Sequence, residues 1–233
     1  MGRRKVESTL CGLIIVDKPL GLSSMDVVRR VRRAAGGCKT GHAGTLDPLA
    51  TGVVICCLGK ATKSVESLMG RAKVYDTTID LTAFTTTDDM EGDRLEVEVA
   101  KPPNQEAVEA VLGRFLGEVQ QTPPAYSAVH INGQRAYKLA RRGEAVQMPT
   151  KTVRIDSIEL LEYAWPMLTL RIVCGRGTYI RSLGRDIGEA LGTGGHLASL
   201  RRTAVGDYSL DIAHPIERFE SPITQDDLLP VPE

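Results

Sequence analysis

The stretch Gly41-His42-Ala43-Gly44-Thr45-Leu46-Asp47-Pro48-Leu49-Ala50-Thr51-Gly52 decides how the rest of the chain is read. It is a glycine-punctuated loop that carries one carboxylate and one imidazole. Glycine tolerates sharp turns and close backbone approaches that other residues resist. Pro48 fixes its own φ and biases Asp47 away from helix, so Asp47 is presented on a pre-shaped turn. A free Asp has a pKa of about 3.9 and is ionised at neutral pH. It therefore needs no neighbouring base to act as a nucleophile. The competing reading is a turn cap, a common use of Asp. The local residues leave both open.

Upstream, residues 12–17 (Gly-Leu-Ile-Ile-Val-Asp) are apolar and β-branched and read as a buried strand. Lys18-Pro19-Leu20-Gly21 ends it. Ser23, three residues before Asp26, is close to a capping box and opens a helix. Val27, Val28, Val31 and Ala34 or Ala35 recur at helical spacing and face the core. Arg29, Arg30, Arg32 and Arg33 fall largely on the other side, and Gly36-Gly37 ends the helix. After the Asp47 loop, Val53–Leu58 reads as a buried strand. Lys60–Met69 reads as a short helix, and residues 73–82 alternate like a half-exposed strand.

Residues 85–93 (Thr-Thr-Thr-Asp-Asp-Met-Glu-Gly-Asp) read as a solvated acidic turn, because the ligand spacing of a calcium loop is missing. Asn104 caps a helix running to about Leu116. A proline-bearing loop spans Gln120–Ala128, and Gln134–Arg142 reads as a short helix. Its Arg141-Arg142 end is already favoured by the helix dipole. Strands at 151–163 and 167–175 join at Ala164-Trp165-Pro166. A helix begins near Thr178, and residues 217–233 form an acidic tail. Separated strands and helices without an internal repeat predict an α+β fold with a large mixed or antiparallel sheet flanked by helices and loops.

At 233 residues the chain is long enough for one large domain or two small ones. No apolar run reaches the length of about 18 residues that a membrane span needs. The basic start, Met1-Gly2-Arg3-Arg4-Lys5, lacks a signal peptide's apolar segment. A cytoplasmic protein is expected. Cysteines 11, 38, 56, 57 and 174 form no Cys-x-x-Cys and no zinc spacing, so reduced thiols and no metal are expected. There is no Walker loop, and no cofactor is called for. Net charge is zero, yet residues 1–75 hold thirteen Lys/Arg against five Asp/Glu, and residues 76–233 hold sixteen against twenty-four. Such asymmetry hints at nucleic acid, unless folding mixes the halves over one surface.

The loop Gly41–Gly52 and the preceding residues 12–24 (GLIIVDKPLGLSS) resemble the catalytic core of the TruB-type tRNA pseudouridine synthases. So do Lys73-Val74-Tyr75, Pro124-Ala125-Tyr126-Ser127-Ala128 and Arg176-Gly177-Thr178-Tyr179-Ile180-Arg181. These strings occur in the family's order and spacing over about 12–209. The resemblance implies a single pseudouridine synthase catalytic domain over 1–233, with an RNA-pinching insertion within 104–150. It also implies no C-terminal RNA-binding domain of the PUA type, for which too little chain follows residue 209. Thr82-Ala83 stands where the family usually has Leu-Gly.

The implied activity converts uridine 55 of the tRNA T loop to pseudouridine, without metal or cofactor. It acts on a flipped base, and the expected working form is a monomer with no protein partner. By the same resemblance Asp47 is the catalytic nucleophile or initiating base. Attack at C1′, attack at C6 and an elimination route remain open. Tyr75 stacks on the uracil and is the candidate to remove the C5 proton. Arg181 pairs with Asp47, Tyr179 and Leu200 line the pocket, and His42 contacts RNA beside the extruded nucleotide. Lys18 supports the Asp47 loop. Two other classes compete: a non-catalytic T-arm-binding factor, and an aspartate-dependent glycoside hydrolase, which would need a second acid at a defined separation.

Overall fold

A computed structural model describes residues 9–127, 129–131, 133–140, 142, 144 and 147–231. The basic residues 3–5, Ala128, Arg141 and Gly143 lie outside the described residues. The chain forms two compact units. The first takes the residues up to Lys73 together with those from Arg201 onward, and the second is Val74–Leu200.

The first unit opens with β1 (Gly12–Lys18), α1 (Ser24–Ala34), β2 (Thr40–His42), β3 (Thr51–Leu58) and α2 (Val65–Gly70). The chain then runs through β4 (Lys73–Asp80), β5 (Ala83–Thr85), β6 (Arg94–Glu96), α3 (Gln105–Leu112) and β7 (Gly117–Gln121). There follow β8 (His130–Ile131), β9 (Gln134–Arg135), α4 (Ala136–Ala140), β10 (Lys151–Ala164), β11 (Met167–Cys174) and α5 (Ile180–Leu191). Strand β12 (His196–Val205) starts in the second unit and finishes in the first, which β13 (Tyr208–Ser209) and β14 (His214–Pro215) complete.

In the first unit the strand order is β14-β1-β3-β12. The outer pairs are parallel and β1 runs antiparallel to β3, from Gly12 opposite Leu58 to Lys18 opposite Gly52. Leu13–Val16 and Val53–Leu58 are buried throughout. That is why they read as continuous apolar runs: strands covered on both faces have no polar alternation to show. Helix α1 starts at the expected capping box. The Asp26 N–H donates to Ser23 Oγ (3.2 Å) and the Ser23 N–H to Asp26 Oδ2 (2.9 Å). Val27, Val28, Val31 and Ala35 are its buried side. In the second unit the order is β4-β11-β10-β7, with β7 and β11 both antiparallel to β10. The α+β class is thus present in both units, with parallel and antiparallel pairs mixed in the first and antiparallel pairs in the second.

Four segments differ from the sequence reading. Residues 117–121 form an edge strand, β7, with Gln121 alone fully buried, so no apolar alternation marked them. The 60–69 helix divides into a 3-10 turn over Gly59–Ser64 and α2. The 134–142 helix shortens to α4 behind the β8–β9 hairpin. The acidic tail folds back. Ile216, Phe219 and Ile223 are buried, the Ile223 N–H donates to Ala34 O (3.0 Å), and Leu13 and Leu229 exchange two backbone hydrogen bonds of 2.8 Å. This brings acidic residues into the unit that holds the basic N-terminal third, so the charge asymmetry along the chain shrinks in the fold. Among the described residues no helix is long and apolar enough to cross a membrane.

Candidate active site

Asp47 sits half-exposed on a loop whose backbone is held at every carbonyl from 44 to 48. Arg202 Nη2 donates to Gly44 O (3.1 Å) and Nη1 to Thr45 O (3.4 Å). Ser24 Oγ donates to Leu46 O (3.1 Å) and accepts from the Leu46 N–H (2.7 Å). The Ala50 N–H closes a turn onto Asp47 O (3.1 Å), and the Gly21 N–H donates to Pro48 O (2.8 Å). Lys18 Nζ reaches the same Pro48 O (3.4 Å) while donating to Leu22 O (2.7 Å) and Pro19 O (3.0 Å). Lys18 and Arg202 are both fully buried. Burial lowers the Lys18 ammonium to about 8, with Asp47 pulling it back up.

Arg202 is the support of this loop that sequence reading missed. It lies on β12, far from the loop in sequence, and its guanidinium turns inward to Val53 O (2.8 Å) and the 44–45 carbonyls. Its neighbour Arg201 instead pairs with Asp17 (2.8 Å). His42, at the end of β2, lies on the same loop. Burial and the nearby Arg202 charge depress its pKa, and its buried Nδ1 makes no hydrogen bond among the described residues. The imidazole is therefore neutral at pH 7.

The remaining predicted site residues belong to the second unit. Tyr75 on β4 and Leu200 on β12 are each 8 % exposed. Tyr179 caps the start of α5, and the buried Gln121 amide clips it on both sides. The Tyr179 N–H donates to Gln121 Oε1 (2.8 Å) and Gln121 Nε2 to Tyr179 O (3.0 Å). Lys151 Nζ stands 4.4 Å from the Tyr179 ring centroid and donates to Gly177 O (2.6 Å). Gln121 and Lys151 carried no sequence signal.

Arg181, the second residue of α5, is buried and donates to Thr87 O (3.0 Å), Tyr126 O (3.0 Å) and Asp89 Oδ2 (3.4 Å). Arg185 pairs with Asp88 (2.7 Å) and Asp186 (2.8 Å). The expected solvated acidic turn is therefore corrected. Asp88 and Asp89 are 8 % and 2 % exposed, because two α5 guanidiniums supply the partners a buried carboxylate requires. Burial pushes Asp88 up to about 6 despite Arg185. At the departure Thr82-Ala83, the Thr82 N–H and hydroxyl donate to Asp80 Oδ1 (2.8 and 2.6 Å), so this turn is closed by side-chain hydrogen bonds.

The chain resembles proteins solved in two multi-component assemblies. It superposes on a chain of the Cbf5-Nop10-Gar1 complex with a TM-score of 0.69 and 30% identity, covering 88% of this chain and 52% of that one. It also superposes on an H/ACA RNP bound to a substrate RNA containing 2'-deoxyuridine, with a TM-score of 0.66 and 28% identity over 88% and 51%. The chain spans about half the length of those two solved chains. The chain therefore shares the fold of the proteins in these two assemblies.

The family descriptions narrow it. TruB family pseudouridylate synthase (N terminal domain) matches residues 32–180, and tRNA pseudouridylate synthase B C-terminal domain matches residues 181–228, taking in part of the folded tail. The tRNA pseudouridine synthase B of Phocaeicola vulgatus is 46% identical over 225 residues, 93% of this chain and 94% of that protein. That of Cupriavidus metallidurans is 45% identical over 212 residues, covering 90% and 67%. This chain belongs to the TruB family of pseudouridylate synthases. Its activity is the isomerisation of uridine to pseudouridine in tRNA.

Proposed function

We propose that the target is uridine 55 in the T loop, extruded from its stack, and that Asp47 initiates glycosidic cleavage. The observation that carries this reading is the bracing of the Asp47 loop at five consecutive carbonyls, from Gly44 to Pro48. A carboxylate that must meet one carbon of a flipped nucleotide gains from a loop that pays its ordering cost in folding. Flipping itself costs a few kcal/mol and is cheapest in loops, where bases are already splayed.

In this reading Asp47 attacks the sugar or the base, or takes a proton to start elimination. Cleavage of N1–C1′ frees the uracil, which rotates and rejoins through C5. Tyr75 stacks on the uracil and takes the C5 proton. Tyr179 and Leu200 line the pocket. Arg181, its geometry set by Asp89 and two carbonyls, supplies the cation that keeps Asp47 ionised. His42 meets RNA beside the extruded nucleotide as a neutral imidazole. Lys18 holds the Asp47 loop, and part of residues 104–150 pinches the RNA. The protein acts as a cytoplasmic monomer without a protein partner, which light scattering of the purified chain checks.

Incubation with an unmodified T-arm stem-loop, and then full-length tRNA, followed by nucleoside analysis tests the assignment. Wild type is expected to yield pseudouridine at the T-loop uridine. Asp47→Asn is expected to yield none while binding tRNA within a few fold. An active Asp47→Asn enzyme would remove Asp47 from the chemistry. Tyr75→Phe keeps the stacking ring and is expected to lose the C5 proton step, seen as product formation stalled after cleavage. Full activity of that variant would restrict Tyr75 to stacking.

A further inference from the structure

We propose that the cleft between α1 and the folded C-terminal segment is a second tRNA contact, which grips the substrate's ribose-phosphate backbone through Arg30 and Arg33. The cleft holds about 580 Å³ and is walled by these arginines on one side and by Phe219, Glu220 and Ser221 on the other. Arg29, the neighbouring arginine, is already taken by Asp26 at 2.6 Å. Among the described residues neither Arg30 nor Arg33 enters an ion pair. Both are exposed side chains of α1 that lie outside its buried valine face. Helix-dipole compensation accounts for cations in the last turn, but Arg30 lies before that turn.

The position of the cleft follows from the helix. Ser24, the first residue of α1, is locked by two hydrogen bonds to Leu46, next to Asp47. At 1.5 Å per residue, Arg30 and Arg33 lie about 9 and 14 Å along the axis from that anchor. Two free guanidiniums at that remove from the reacting loop suit phosphates of nucleotides flanking the reacting one, since arginine forks match phosphate oxygens. Ile216 and Phe219 of the other wall are themselves buried, so the cleft is shaped by packed residues and is not a gap between frayed ends. The substrate is a polyanion, which decides between RNA and an acidic protein surface as the occupant.

The test uses the full chain and tRNA transcript. Arg30→Gln/Arg33→Gln changes two exposed side chains that take no part in the Asp47 loop. Its tRNA dissociation constant is expected to rise roughly tenfold at low salt. The slope of log affinity against log salt is expected to become shallower by about two, one per lost phosphate contact. KM should rise with it, while kcat at saturating tRNA stays unchanged. A charge-matched control, Arg154→Gln/Arg171→Gln at two exposed arginines of β10 and β11, should leave affinity and slope near wild type. Equal loss in both doubles would assign the effect to net charge and overturn the proposal, as would an unaltered slope in the Arg30/Arg33 variant. Wild-type binding and turnover in the same assay separate the two readings. If wild type turns over and the variant equals it, the cleft fails alone. If wild type makes no pseudouridine, the reading of the Asp47 site fails first.

Discussion

A buried ammonium is costly unless its hydrogens are all used. Lys18 meets that condition with three carbonyl acceptors from residues on and beside the Asp47 loop. Burial still lowers its pKa to about 8, which gives the enzyme two opposed pH responses. Above that value Lys18 becomes a neutral amine with two hydrogens for three carbonyls, and the positive charge near Asp47 is lost. The rate of the chemical step is therefore expected to fall as pH rises through about 8. Stability moves the other way. Unfolded Lys18 ionises near 10.4, so between about 8 and 10.4 the folded chain binds fewer protons and gains stability as pH rises. Single-turnover rates from pH 6 to 9.5 check the first response. Lys18→Met should lack the alkaline limb and lose on the order of 10²-fold in rate through loop misplacement. A wild-type profile flat to pH 9.5 would remove Lys18's charge from the mechanism. At this scale the sequence marked the glycine-punctuated loop that carries Asp47 and the Lys18-Pro19 turn packed beside it. It was opaque for Arg202, Gln121 and Asp89, because whether a polar side chain turns inward depends on partners distant in sequence: carbonyls for Arg202, the Tyr179 backbone for Gln121 and the Arg181 guanidinium for Asp89.

Among elements, the tightest fit is where β12 runs beside β3. Arg202 stands opposite Gly52 in this parallel pair. Gly52 has a φ of +103°, and a Cβ there would fall 2.1 Å from Arg202 O. Backbone cannot yield as a flexible side chain can, and the left-handed conformation adds strain. Gly52→Ala is expected to cost about 3 kcal/mol or more, read as a lower denaturant midpoint with unchanged slope. Gly41 is the contrast within the same motif. Its nearest heavy atom to a built Cβ is a Thr62 methyl at 4.0 Å, so Gly41→Ala should fold with a change below about 1 kcal/mol. The sequence marked both glycines as permissive and could not rank them, since the ranking rests on Arg202, 150 positions away. Elements with a strong local signal, such as α1 with its capping box and apolar stripe, were read to within a residue or two. Strand β7 was missed because an edge strand with one buried side chain shows no alternation.

At the scale of the molecule, the first unit is closed by chain segments from opposite ends of the sequence. Leu13 and Leu229 exchange two backbone hydrogen bonds, β14 pairs with β1, and Ile223 donates to the end of α1. Such contacts carry a large loop-closure cost before they return any burial, so the acidic composition of residues 217–233 concealed a packed segment. What offsets the cost is apolar: Ile216 and Phe219 are 3 % and 5 % exposed. Phe219 has a second role as part of the wall that faces Arg30 and Arg33. Truncating it leaves a cavity that the 3-10 turn around it can only partly close. Phe219→Ala is therefore expected to destabilise the fold by about 3 kcal/mol, lowering the thermal midpoint by on the order of 10 °C for a chain of this size. Native-state hydrogen exchange of the Leu13 and Leu229 amides distinguishes how that loss is distributed. If the segment folds cooperatively with the first unit, both amides should lose protection together with those of β3. If only Leu229 exchanges faster and the midpoint moves by less than about 2 °C, the segment opens by itself, and its contribution to the fold is local.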